Sequence, residues 1–129
     1  MTANNQKIDT ARLKERLGRI AVDPKHFYGW LSAKPADEEV GTACRSASCP
    51  VAEYLLYEFD RDGIVEVSAE FGNLWLDFAG ESVSQPAGQW VESFMIAVDK
   101  LGEGAPRATT AAEARAVLVG VMAALIGDC

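Results

Sequence analysis

Two cysteines five residues apart, Cys44 and Cys49, come nearest to chemistry in this 129-residue chain, and the second is followed by Pro50. Proline is favoured in the first turn of a helix, so Ser48-Cys49-Pro50 reads as a helix start with Cys49 at its cap. Unpaired N–H groups and the helix dipole at such a position favour a thiolate. Arg45 adds positive charge nearby. A thiol of lowered pKa with a second thiol within loop reach is the recipe for a redox pair, with Cys49 attacking and Cys44 resolving. The spacing is not the C-x-x-C of thioredoxin. The opposing reading is a small buried side chain at a helix start, because free cysteines are among the most buried residue types. The cysteine count is three, an odd number. The polar N-terminal stretch lacks an apolar secretory core, so a soluble, cytoplasmic protein with free thiols is expected.

Other constellations fall short. The zinc ligands on offer are Cys44, Cys49, Cys129 and the single histidine, His26. Their spacing matches no structural zinc pattern, so no metal is expected. Asp60-x-Asp62-Gly63 opens like a calcium loop, but Phe71 stands where the twelfth-position glutamate belongs. Gly80-Glu81-Ser82-Val83-Ser84 lacks the closing glycine of a nucleophile elbow. Gly102-x-Gly104 lacks the rest of any phosphate-binding loop. No cofactor is implied, and no set of catalytic groups assembles from the sequence.

Contact surfaces are the next possibility. Glu66, Glu70 and Asp77 alternate along one strand face, which is what a solvated face looks like. Trp75 lies among them, where it marks either a contact surface or a sheet covered on both sides. Arg12, Arg16 and Arg19 form a basic stripe that reads as a solvated face, or one paired with acids of the same or a neighbouring chain. The formal charge of −7 divides into +4 over residues 1–34 and −11 over the remainder. An acidic body repels phosphate, which disfavours nucleic acid and anionic membrane as partners for it.

The elements that must position these groups centre on Ile64–Phe78. Gly72-Asn73 reads as a two-residue hairpin turn. That turn opposes Phe71 to Leu74, Ala69 to Leu76 and Val67 to Phe78 on an apolar face, with Glu70–Trp75 and Ser68–Asp77 on the other. A short third strand is expected at Ser82–Gln85. Asp9 caps a first helix carrying Leu13, Leu17 and Ile20, and Ile8 can staple onto Leu13. Asp23-Pro24 starts a second helix, with Phe27, Trp30 and Leu31 inward. Ala36–Ser48 reads as a loop, followed by a third helix with Ala52, Leu55, Leu56 and Phe59 on one face. Trp90, Phe94, Ala97, Val98 and Leu101 mark a fourth helix capped by Gly102. Residues 104–107 read as a linker. Thr110 and Glu113 form a capping box for a fifth helix running to Ile126. Its row Ala112, Ala116, Gly120 and Ala124, together with an apolar circumference, predicts the most buried helix of the fold or one shared with a second copy.

The expected fold is a single α+β domain spanning residues 1–129: four or five helices on a hairpin or small antiparallel sheet, with residues 1–7 loose. Three functions fit. One is a non-catalytic binding or regulatory protein acting through protein contacts, a homodimer among them. The second is a thiol-dependent redox protein using Cys49 and Cys44. The third is an acidic mimic of nucleic acid that blocks a basic cleft.

Overall fold

Burial along Ile64–Pro86 alternates with the pleat, and a three-stranded antiparallel sheet results. In the computed structural model, which describes residues 9–70 and 72–127, its strands are β2 (Ile64–Glu70), β3 (Asn73–Phe78) and β4 (Glu81–Pro86) in that order. Val67, Ala69, Leu74, Leu76, Phe78 and Val83 are buried on one face. The other carries Glu66, Ser68, Trp75, Ser82 and Ser84. Helix α1 (Thr10–Val22) lies against β4, and α3 (Pro50–Glu58) lies against β2.

The faces agree with the alternation in the sequence, but the register does not. Ala69 pairs with Leu74, Val67 with Leu76 and Ser68 with Trp75, two residues out of the expected step. Asn73 is a strand residue, opposite both Glu70 and Pro86. The third strand explains the shift. Its exit brings the Ala87 N–H within 2.7 Å of the Gly72 carbonyl, and Pro86 pairs with Asn73. Gly72, at φ +79, supplies a left-handed corner. Because the displacement is two residues, no side chain changes face. A bulge at Val65 then turns that side chain outward. Phe71, Ile8 and Cys129, with the contacts expected of them, lie outside the described residues, as does the side chain of Glu70.

The loop expected at Ala36–Ser48 contains a strand, β1 (Glu39–Ala43), paired antiparallel with β5 (Arg107–Thr110). The partner falls partly on residues read as linker. Only Val40, Ala43 and Thr109 are buried in this pair, so neither strand shows apolar alternation, and some seventy residues separate them.

Local signals elsewhere match the structure. Asp9 accepts the Arg12 N–H at 3.1 Å at the start of α1. Asp23 accepts the Lys25 N–H at 2.9 Å, starting α2 (Lys25–Ser32). Thr110 and Glu113 exchange hydrogen bonds of 3.0 and 3.2 Å, a complete capping box for α5 (Ala111–Gly127). Gly102 ends α4 (Gln89–Leu101). Phe27 is fully buried and touches the rings of Trp30, Tyr54, Trp90 and Phe94, joining α2, α3 and α4 in one aromatic core.

Helix α5 is not buried all round, against the first of its two expectations. Ala111, Ala114, Leu118 and Val121 are buried against α2 and α4. Ala112, Ala116, Gly120 and Ala124 face outward, beside Val119 and Ala123. A Cβ added at Gly120 would meet nothing within 4 Å. Among the described residues, the small-residue row therefore receives no second backbone. Apolar periodicity around a whole circumference cannot say which side the fold leaves uncovered.

Candidate functional site

The segment from Cys44 to Cys49 crosses between the two sheets. Ala69 N–H donates to the Ser46 carbonyl at 2.9 Å, and Thr42 N–H to the Ser48 carbonyl at 2.7 Å, so the loop is pinned to β2 and closed on itself. Its other wall is α4. The Asp99 carboxylate accepts the Cys44 N–H at 2.8 Å, while the Cys44 thiol reaches the Asp99 carbonyl at 3.6 Å. Cys44 sits at φ +66, a conformation costly for any side chain but glycine, and the Asp99 contact holds it there. Between loop, hairpin corner and α4 lies a cavity of about 550 Å³, within the range of small-ligand sites. Both thiols line it. So do Ala69, Met95 and Ile96, with Arg45, Glu92 and Asp99 among its polar groups.

Cys49 caps α3 as the sequence implies, but its thiol chemistry runs the other way. The residue is only 4% exposed. Burial pushes its pKa up to about 11; the N–H groups of Ala52 and Val51 pull it down and the Asp99 charge raises it further. The helix-start effect is present and is outweighed by desolvation. Desolvation therefore works against the thiolate that the helix start favours, and so against Cys49 as the attacking thiol of a redox pair. Both Cys44 and Cys49 are free.

A pH dependence follows. The folded-state pKa of Cys49 is raised above its ordinary 9.0. Its contribution to stability is therefore complete below pH 9 and is lost as pH rises to about 11, where the unfolded chain has already released the proton. Urea denaturation of wild type and Cys49→Ala should diverge less with each step from pH 9 to 11. Alkylation by iodoacetamide at pH 7 should label the partly exposed Cys44 well before Cys49.

Among the described side chains, the remaining sequence candidates do not line this cavity. Trp75 is 43% exposed on the open sheet face. Glu66 is exposed there as well, and Asp77 accepts the Ser82 hydroxyl at 2.6 Å. Arg16 is engaged within its own chain: it donates to Asp62 at 2.8 Å and to the Glu58 carbonyl at 3.3 Å, and lies 4.5 Å above the Phe59 ring. Arg19 pairs with Glu15 along the exposed side of α1, and the Arg12 side chain is exposed. Arg16, Arg19 and His26 do border one shallow cavity of about 420 Å³. His26 is remote from the thiol cavity lining, and among the described residues no three His, Cys, Asp or Glu side chains are grouped to hold a metal ion.

Sequence reasoning missed the α4 wall. Glu92, Met95, Ile96 and Asp99 recur at helical spacing beside the buried Trp90–Phe94–Val98 stripe. That adjacency was the available signal, but charged positions next to an apolar stripe ordinarily face water. No family model matches this chain, and no curated protein and no solved structure matches it either. No helix among the described residues is long and apolar enough to cross a membrane.

Proposed function

We propose that this is a non-catalytic binding protein that works as a homodimer through the outward face of α5. The observation that carries the reading is the exposure of Ala112, Ala116, Val119, Gly120 and Ala124 on a helix with no charged side chain after Arg115. A second copy fits that face better than another occupant for two reasons. Each copy carries −7, so two copies meet with least repulsion where charge is missing. The face is also self-complementary: Val119, 51% exposed, is a knob, and Gly120 beside it is a hole. Two such helices crossing about a two-fold axis seat each valine over the other's glycine, as an isologous contact requires.

A 17-residue helix is about 25 Å long. Its single face is smaller than the ~800 Å² per partner of a standard interface, so the dimer should be weak and concentration-dependent. The second contact surface in this reading is the open sheet around Trp75, where Glu66 and Asp77 suit a basic partner. Ion pairing works against the nucleic-acid mimic. Glu15, Glu38, Glu58, Asp62 and Glu113 are each engaged by a cation of the same chain, so they form no free array of charge.

Sedimentation equilibrium tests the dimer. Wild type should shift from monomer to dimer across the micromolar range. Ala116→Glu should stay monomeric with unchanged thermal stability, and Trp75→Ala should dimerise normally. A wild type that remains monomeric, or an Ala116→Glu variant that still dimerises, removes the proposal.

A further inference from the structure

We propose that the cavity between the Cys44–Cys49 loop and α4 binds a basic α-amino acid, its backbone held by Arg45 and Asp99 and its side-chain cation by Glu92. The argument is independent of the dimer. Three charges of both signs border one cavity, yet none of Arg45, Glu92 and Asp99 forms an ion pair among the described residues. Their formal sum, −1, is balanced by a ligand of +1.

Their placement sets the ligand's shape. Arg45 follows Cys44, whose N–H fixes the Asp99 carboxylate at 2.8 Å. Arg45 and Asp99 thus enter the lining from neighbouring stretches of backbone, a pairing of charges that suits an α-carboxylate and an α-ammonium. Glu92 is seven residues before Asp99 on the same helix, about 10 Å away along its axis. It lies by the hairpin corner, where a Cβ added at Gly72 would be 3.7 Å from its Oε1. Between the two ends Met95, Ile96 and Ala69 offer an apolar wall for a methylene chain. A lysine-length side chain spans the gap once each carboxylate reaches inward. Arg45 and Glu92 are exposed at the rim, so the ligand exchanges one wet partner for another and affinity should be modest. Binding is the whole of the function proposed here.

Calorimetric titration with three probes tests each end separately. Lysine carries all three charges, norleucine lacks the distal cation, and cadaverine lacks the carboxylate. Wild type should bind lysine about tenfold more tightly than either, because a hydrogen bond to a charged group is of that order. Arg45→Gln should erase the preference over cadaverine while keeping that over norleucine. Glu92→Gln should do the reverse. Both residues are exposed, so neither change threatens the fold. The proposal is overturned if lysine is not the tightest of the three, or if either variant leaves its own preference intact.

Discussion

Replacing Gly88 by alanine should cost about 4 kcal/mol of folding stability or prevent folding. Gly88 is the residue before α4, in an extended conformation open to any side chain. Its demand is for space. A Cβ there would stand 1.6 Å from the carbonyl oxygen of Ala21 and 2.7 Å from its carbonyl carbon. Those are backbone atoms in the last turn of α1, so no rotamer change can relieve the clash. The two chain segments must separate, and the neighbouring contact goes with them: Trp90 Nε1 donates to the Ile20 carbonyl at 3.1 Å across the same seam. Overpacking of a side chain typically costs 1–3 kcal/mol, and loss of a buried seam places this change in the exceptional range. Gly29→Ala is the control. Gly29 is helical with nothing within 4 Å of its would-be Cβ, so alanine there should stabilise by about 0.5–1 kcal/mol. Urea denaturation of the two variants decides the matter. Equal stabilities would mean that α1 and α4 do not approach as closely as described.

That seam shows where reading a sequence stops. Helix boundaries, caps and the apolar faces of the sheet rest on interactions within a few residues, and Asp9, Asp23 and the Thr110–Glu113 pair announce them directly. Gly88 does not announce itself. Ahead of a helix it looks like any loop glycine, because its constraint comes from Ala21, remote in the chain. The same holds for β1 and β5. Glu39–Ala43 has too few buried positions for alternation to show, and its partner is distant. The hairpin register belongs here as well: Gly72-Asn73 is a sound turn signal by itself, and the third strand pulls Asn73 into the ladder.

The candidate site was legible by halves. The Cys44–Cys49 loop could be picked out from composition, and its position at a helix start was correct. What works against a thiolate there is burial. The gain from two N–H groups is local and readable, whereas desolvation depends on everything packed around the thiol. The cavity's acidic wall was hidden for a related reason. Asp99 becomes a partner of Cys44 only when α4 lies against the β1–α3 loop, and nothing near either residue specifies that contact.

Removing the ring of Phe27 should destabilise the protein by about 3–5 kcal/mol, a large part of the 5–15 kcal/mol typical of a domain. Four aromatic rings stand with centroids 5.1–6.0 Å from its own. Aromatic neighbours are stiff and branch little, so they cannot collapse into the space that Phe27→Ala opens; the cavity term stays near its maximum. Trp90 is held besides by its hydrogen bond to Ile20, which resists inward movement. Phe27→Leu should lose less, because it keeps most of the volume and forfeits mainly the ring–ring contacts, each worth about 0.5–1.5 kcal/mol. Tyr28→Ala, one residue along on the exposed side of α2, should change stability by less than about 0.5 kcal/mol. Fluorescence-detected urea unfolding suits the test, since Trp30 and Trp90 flank the ring and report on the same core. A Phe27→Ala midpoint close to that of Tyr28→Ala would mean that this ring is not the hub joining α2 to α3 and α4. The two proposed surfaces would then lose the scaffold that holds α4 and α5 in place.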